Sequence, residues 1–463
     1  MTTQPSGKFW IKYGGPIESL MSAELSRIVD PHISYTAVYY RQGAWKKTRH
    51  EYSKSTILSK TKEGHAFYTG FIPKIEKICA DNGVPLVMYN MERDPLKVEL
   101  SLPEGMDFRD FQSDLIKAAL SKRRGVLVAP TGTGKTFLGL SLIYSIKNIE
   151  GGVLWLCHTK DLMNQTSKEA AKFFGVENVG MIGDGICDTS KFLTVATRQS
   201  FRKIADELGT AYDVVIVDEV HHLSSFSGEY AEILGQVWAP IRIGLTATTH
   251  TDPQALLAME AFIGPVVGKY TIDKGREDGY MANPIIKVLK TSKNYNISTI
   301  RKYQDVYECG IVRNLERNRM IVNAVDEQNK KGKSCLVVVN KIAHGELLTN
   351  LLHNIGNDAV FVCGSTDSES RMLAKQCLNE KNLKCVICTT VWKEGVNIPE
   401  LDVVINAAGG KSEIVTLQSI GRGLRRTASK QNLLIIDFFD PSHYYLISHF
   451  GERLCLYMEM GWM

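Results

Sequence analysis

The sequence predicts an α/β protein, with two tandem parallel-sheet domains preceded by a small α+β N-terminal domain. Three observations predict it. From about residue 106 onward, short apolar runs alternate with helix-length segments. That alternation occurs twice, and the first hundred residues do not share it. Apolar runs of strand length, separated by helical segments, mark buried parallel strands joined by helical crossovers.

In the first set, strands are predicted at 125–129, 153–157, 193–197, 213–218 and 241–245, with helices starting near Thr136, Asp161 and Gln199. In the second, strands are predicted at 334–339, 358–362, 384–389, 402–406 and 432–437, with helices near 342–355, 367–380 and 413–424. Polar residues 286–330 read as a linker, which gives domains at 1–100, 101–285 and 331–463. The last domain ends in 444–462, whose apolar residues recur at helical spacing and predict a packing helix. In the front domain, Ser34 to Tyr40 is rich in β-formers, and a helix at 72–82 ends at Gly83.

Composition excludes several classes. Hydrophobic residues at 44% and charged residues at 23% are ordinary for a globular protein and wrong for a disordered, collagenous or coiled-coil one. No apolar run approaches the roughly 18 residues of a membrane span. The start, Met1 to Lys8, lacks an apolar signal core, so the cytoplasm is the expected location. Fifty-five basic and fifty acidic residues give +5, and most of that excess lies in residues 1–100. Residues 41–62 hold seven basic side chains and one acidic. Cys385 and Cys388 form the one Cys-x-x-Cys pair; without a second pair the cysteines read as reduced packing residues.

Chemistry enters at Ala129-Pro130-Thr131-Gly132-Thr133-Gly134-Lys135-Thr136, between a strand and a helix. Gly132 and Gly134 let the backbone wrap a phosphate, and successive N–H groups with the helix N-terminus then face an anion. Thr131 to Thr136 are therefore expected to bind ATP, with Lys135 reaching the β- and γ-phosphates and the Thr136 hydroxyl holding Mg²⁺.

A second group follows the strand at 213–218, which ends Asp218-Glu219-Val220-His221-His222. Carboxylates at the C-terminal end of a parallel strand face the ligand crevice. Asp218 is the expected Mg²⁺ partner, and Glu219 the group that orients or deprotonates an attacking water. His221 is placed to sense the γ-phosphate; His222 reads equally well as a structural histidine.

Far downstream, Gln418-Ser419-Ile420-Gly421-Arg422-Gly423-Leu424-Arg425 carries two arginines that share a face if the segment is helical. Arginines supplied to a transferring phosphoryl group stabilise its charge. A solvated basic face, or a contact to a phosphate backbone, is the alternative.

Together these elements resemble the superfamily 2 helicases and translocases, in the form with an Asp-Glu-x-His box. The resemblance spans about residues 106–440 and implies two RecA-like domains with ATP between them. It assigns Gln418, Arg422 and Arg425 to catalysis beside Lys135, Asp218 and Glu219. Phe108 to Gln112 resembles the adenine-reading element, which implies Arg109 and Gln112 as nucleotide contacts. Leu156 to Gln165, with His158 and Thr159, and Val195 to Ser200, with Thr197 and Arg198, resemble strand-contacting motifs. Leu245-Thr246-Ala247-Thr248 resembles the coupling motif, which implies that Thr246 and Thr248 act with His221. Asn340 and Thr389 fall where further strand contacts belong, and Gly395 lies in a motif that touches the nucleotide side.

In front, Lys46, Lys47, Arg49 and Lys54 interleave with Tyr39, Tyr40, Trp45 and Tyr52, a pattern suited to strands and junctions. A solvated edge strand with protective lysines is the alternative. Phe67 to Lys74 resembles the corresponding segment of phage UvsW-type recombination helicases. The resemblance implies an ATP- and Mg²⁺-dependent DNA helicase that unwinds or migrates forks and four-way junctions. An RNA helicase, the motor subunit of a restriction system and a nucleotide-switched clamp without turnover remain the alternatives.

Overall fold

The computed structural model describes residues 8–42, 47–55, 57–89, 96–130, 132–250, 252–389, 398–410, 430–459 and 462–463; of 35–42 and 47–55 it describes the backbone. The chain forms two compact units, one of residues 1–129 and 135–269, the other of 130–134 and 270–463.

The first unit begins with strands β1 (Trp10–Tyr13) and β2 (Glu18–Met21), helix α1 (Ala23–Ile33), strands β3 (Tyr35–Gln42), β4 (Lys47–Ser55), β5 (Ser59–Lys60) and β6 (His65–Tyr68), helix α2 (Ile72–Asp81) and strand β7 (Val87–Tyr89). Five of these strands make one sheet in the order β5-β6-β2-β1-β7, while β3 and β4 form a separate antiparallel ribbon. Helix α1 starts where the Ser22 hydroxyl accepts the Leu25 N–H, and it turns Leu25, Val29 and Ile33 inward at helical spacing.

Helix α3 (Asp110–Lys122) leads into β8 (Arg124–Val128), α4 (Lys135–Tyr144), β9 (Gly152–Cys157), α5 (Lys160–Phe174), β10 (Val179–Gly183), β11 (Ile186–Cys187), β12 (Leu193–Thr197), α6 (Arg198–Phe201), α7 (Ala205–Leu208), β13 (Tyr212–Asp218), α8 (Glu229–Gln236), β14 (Ile241–Thr246), α9 (Pro253–Phe262) and β15 (Val266–Lys269). The sheet runs β11-β10-β12-β9-β13-β14-β8-β15, and every pairing except β10 with β11 is parallel. The five predicted strands are present within a residue or so of their expected ends. The helix expected near Gln199 is one turn only, Arg198–Phe201.

The front sheet shares a core with this one. Ile11, Leu25, Phe67, Phe71 and Ile75 pack in the same buried cluster as Val215, Val217, Leu234 and Phe262. The Tyr68 ring lies 4.8 Å from that of Phe262. Gly70 lies so close to the carbonyls of Glu260 and Ala261 that no Cβ would fit. Arg124, buried at the start of β8, donates to the carbonyls of Pro16 at 2.6 Å, Ile263 at 3.0 Å and Phe262 at 3.2 Å. The Phe67 to Lys74 segment is a docking element: Phe67 and Phe71 are core, Tyr68 packs partly buried against it, and Lys74 pairs with Glu260 at 2.7 Å.

The second unit contains α10 (Ile272–Glu277), β16 (Asn283–Lys290), α11 (Tyr303–Tyr307), α12 (Leu315–Lys330), β17 (Cys335–Val338), α13 (Ile342–Asn354), β18 (Ala359–Val362), α14 (Ser368–Asn379), β19 (Cys385–Cys388), β20 (Val403–Asn406), β21 (Asn432–Phe439) and a C-terminal helix (Tyr444–Glu459). Its six strands are all parallel, in the order β16-β21-β20-β17-β19-β18. Both units carry the RecA-like layering of a parallel sheet with helical crossovers.

Residues 286–330, expected as a linker, are corrected by this unit. They hold most of β16, which pairs along its whole length with β21, and the helices α11 and α12. This edge strand, with Pro284 at its start and Lys287 and Lys290 interrupting its apolar residues, is in the sheet. Within 444–462, Leu446, Leu456, Tyr457 and Trp462 are buried, as a packing helix requires. The helix expected at 413–424 lies outside the described residues.

Candidate functional site

Parallel pairing brings the functional loops of the first unit to one edge. Thr197 is in register with Cys157, Asp218 with Leu245, and Thr246 with Val128, so the loops after β8, β9, β12, β13 and β14 all leave from the C-terminal ends of neighbouring strands. After β8, Gly132 and Gly134 take φ values of 90° and 86°, the left-handed backbone that a side chain would resist. Thr133 is buried, and both its N–H and its hydroxyl donate to the Pro130 carbonyl. Lys135 and Thr136 then open α4.

Lys135 Nζ lies 3.5 Å from Glu219 Oε1. Glu219 Oε2 lies 3.3 Å from His221 Nδ1, yet no hydrogen bond reaches this buried oxygen. His221 Nδ1 is 3.0 Å from Thr246 Oγ1. The Thr246 hydroxyl donates to the Thr248 carbonyl at 2.7 Å and so has no second proton to give. A proton on His221 Nδ1 faces both the Thr246 hydroxyl and Glu219 Oε2. A line of close polar contacts runs Lys135, Glu219, His221, Thr246, Thr248, and every member is a residue that the sequence marks as catalytic or coupling.

Glu219 sits at φ 48° and ψ 51°, a left-handed conformation that costs a non-glycine residue about 1–2 kcal/mol. Asp218 stays on the strand, buried, and its Oδ1 accepts the Glu219 N–H at 2.9 Å. Burial, and then the neighbouring Glu219 charge, push Asp218 up to about 7. Burial acts on Glu219 in the same direction, but Lys135 and the adjacent histidines outweigh it and hold that carboxyl at about 2. Two adjacent carboxyls are thus driven apart: Glu219 is the ionised one, and Asp218 is a carboxyl short of positive charge.

Residues 105–251 match the family described as type III restriction enzyme, res subunit, and residues 316–427 match the helicase conserved C-terminal domain. The DNA 3'-5' translocase XPB2 of Sulfurisphaera tokodaii is 29% identical over 370 residues, which covers 72% of this chain and 82% of that protein. The ATP-dependent DNA helicase uvsW of Enterobacteria phage T4 is 26% identical over 345 residues, covering 72% of this chain and 68% of that one. The two matched segments are helicase domains, and the chain resembles the superfamily 2 helicases. It is an ATP-dependent nucleic-acid helicase. The structure of S. cerevisiae Dbp5 bound to RNA and ADP BeF3 superposes with a TM-score of 0.56 at 13% identity, over 76% of this chain and 88% of that one, a likeness of fold alone.

The helicase's remaining candidates divide. His158, at the end of β9, stacks on His222 with ring centroids 3.6 Å apart and planes 7° from parallel. His222 thus joins the acidic box to the first strand motif, an arrangement that sequence spacing does not reveal. Thr159 and Thr197 cap α5 and α6, accepting the N–H groups of Leu162 and Ser200. Arg198 pairs with Glu229 at 3.1 Å. Gln112 caps α3, accepting the Arg109 N–H at 3.0 Å. In the second unit Asn340 stands exposed just beyond β17, while Thr389, just beyond β19, is buried. Thr131, Gly395, Gln418, Arg422, Arg425 and Lys46 lie outside the described residues, as do the side chains of Lys47 and Arg49.

Several buried charges escape a reading of the sequence: Arg124 in the first unit, and Arg317, Lys430, Asp437, Asp440 and Arg453 in the second. One signal for them exists. Asp437 interrupts the apolar run Leu433-Leu434-Ile435-Ile436, and a carboxylate inside a buried strand demands a cationic partner. Arg453 is that partner, at 2.8 Å.

Proposed function

We propose that this helicase is an ATP-driven DNA translocase that migrates branched DNA, such as forks and four-way junctions, in recombination, repair or replication. The observation that carries the branch reading is the common core of the front sheet and the first parallel sheet. A front domain built into the motor half moves with it, so its antiparallel ribbon can act as a wedge at a branch, with Lys46, Lys47 and Arg49 holding phosphates. The DNA assignment is supported by the translocase and helicase relatives, whose names specify DNA.

In this reading the N–H groups of 131–134 and the Lys135 ammonium hold the phosphates of ATP, and Arg109 and Gln112 meet the adenine. Mg²⁺ fits the residues present. Asp218 is a buried carboxyl raised in pKa by burial and by the Glu219 charge, and the Thr136 hydroxyl stands at the helix start. When bound, Mg²⁺ would neutralise charge on the phosphate oxygens. Glu219 accepts the proton of the attacking water at Oε2, and Lys135 keeps it ionised until then. His221, through Thr246 and Thr248, passes the state of Glu219 to the β14 loop. Gln418, Arg422 and Arg425 complete the charge stabilisation, with Gly395 on the nucleotide side. His158, Thr159, Thr197, Arg198, Asn340 and Thr389 line the strand path.

The test is ATP hydrolysis with no nucleic acid, with single-stranded DNA, with a four-way DNA junction and with a matched RNA fork, at two salt concentrations. Strongest stimulation by the junction, weakening with salt, is the expected result. Stimulation by RNA alone would overturn the DNA assignment, and equal stimulation by every DNA would overturn the branch preference.

A further inference from the structure

Three loops at the C-terminal edge of the first sheet bring histidines to the flank of Glu219. His158 follows β9, His221 and His222 follow β13, and His250 follows β14. Three of these rings make a continuous path. His158 lies face to face with His222, with centroids 3.6 Å apart and planes 7° from parallel. His222 in turn lies 4.4 Å from His221, tilted by 34°. His221 Nδ1 then meets Glu219 Oε2 at 3.3 Å. Ordinary aromatic pairs prefer offset or edge-on contact, with centroids about 4.5–7 Å apart. The faces of His158 and His222 are closer and more nearly parallel than that, so neither ring has room to move toward the other.

The turn that carries His222 is anchored on its other side. Residues 220–222 form one short 3-10 turn, in which the His222 N–H donates to the Glu219 carbonyl at 3.0 Å. Val220 is buried against β14, so close to Gly244 that a Cβ there would stand 2.8 Å from the Val220 Cγ1. A hydrogen bond with His250 holds the Leu223 backbone. Packing and hydrogen bonds thus fix the turn toward β14, while toward β9 it meets the ring of His158. On the chain, His158 directly precedes Thr159, whose hydroxyl accepts the Leu162 N–H at 3.3 Å and caps α5. When the β9 loop shifts, it has a stiff neighbour to push, and that neighbour is hydrogen-bonded to the backbone of Glu219. The left-handed φ of 48° at Glu219 persists only because its surroundings hold it, so the aim of the carboxylate depends on what holds the turn.

We propose that His222 is a positioning residue that couples strand occupancy at the loop between β9 and α5 to the aim of Glu219, through its stack on His158. Coupling needs an element that both sites bias, and the 220–222 turn is that element. The relay lies wholly within the first parallel sheet and its loops. It rests on the reading of His158 and Thr159 as strand contacts given above.

His222→Ala removes the stack and leaves Lys135, Glu219 and His221 in the sequence. Basal ATP turnover without nucleic acid should stay within about twofold of the native rate. The kcat reached with saturating single-stranded DNA should fall about tenfold, the scale of a small misplacement of a catalytic group. DNA affinity and melting temperature should be nearly unchanged. His222→Phe, which keeps a flat ring against His158, should recover most of the stimulation. Normal stimulation in His222→Ala would overturn the proposal, and so would a His222→Phe protein no more active than His222→Ala. Equal loss of basal and stimulated rates would overturn it too, since His222 would then only support Glu219. Hydrogen exchange with and without single-stranded DNA, in the absence of nucleotide, separates the two levels. In the native protein DNA should slow exchange at 159–163 and alter it at 219–223. In His222→Ala the first response should persist and the second should vanish. If the response at 219–223 survives in His222→Ala, only the relay fails. If DNA leaves 159–163 of the native protein unprotected, the strand-contact reading fails and the relay falls with it.

Discussion

Glu219 combines three properties that are rarely found together: a left-handed backbone, a lysine that keeps it charged, and a buried oxygen with no hydrogen bond. Its amide analogue separates these. Glu219→Gln preserves size and removes the proton acceptor, so ATP binding should persist while hydrolysis falls by about two orders of magnitude or more. Equilibrium binding of a labelled nucleotide, beside phosphate release, checks both halves; equal loss of binding would make Glu219 a structural residue. At this scale the sequence is most legible where chemistry follows a local spacing. Gly132, Gly134, Lys135, Asp218, Glu219, His221 and Thr246 need only a strand and the loop after it. The stack of His158 on His222 pairs residues far apart in sequence, and no local pattern encodes it.

Among the elements, the ribbon of β3 and β4 is separate from the five-stranded front sheet and overlaps the basic stretch at 41–62. Replacing Lys46, Lys47 and Arg49 by alanine should weaken junction binding and flatten its salt dependence by about one unit of log–log slope for each phosphate no longer neutralised. An unchanged slope in a binding titration would return these residues to a solvated edge. Arg124 tests how the front sheet is attached. Arg124→Met strands three carbonyls and should cost about 3 kcal/mol. Earlier proteolytic release of the front segment is the expected sign, and a protease-resistant variant would show that apolar packing alone suffices. Element positions are readable wherever both faces of a strand are buried, as in β8, β9 and β13. β16 is not, because one edge and one face are exposed and its lysines mimic a loop.

For the molecule as a whole, stability against acid has an identifiable weak point. His344 is fully buried; its Nε2–H donates to Asn318 at 2.9 Å, and its Nδ1 has no partner among the described residues. Burial, and then Arg317, depress it from 6.5 to about 3. The unfolded chain therefore binds a proton below pH 6.5 that the fold refuses. Stability should fall as pH drops from about 6.5 toward 3, by up to about 1.4 kcal/mol per pH unit from this group. His344→Gln, which retains a donor for Asn318, should flatten that limb in pH-dependent chemical denaturation. Superposable curves would assign the acid sensitivity elsewhere.

The pairing of β16 with β21 also bears on how the protein is made. Asn283 lies beside Asn432 and Lys290 beside Phe439, so the earliest strand of the second sheet borders the latest. During synthesis the first sheet can close as soon as β15 clears the ribosome. The second has no neighbour for β16 until almost all of its sequence has emerged. Until then Ile286 and Val288 are displayed on an unpaired strand, with Lys287 and Lys290 the local guard against pairing with another nascent chain. The helices that follow, including those bearing Tyr307 and Arg317, emerge during that wait.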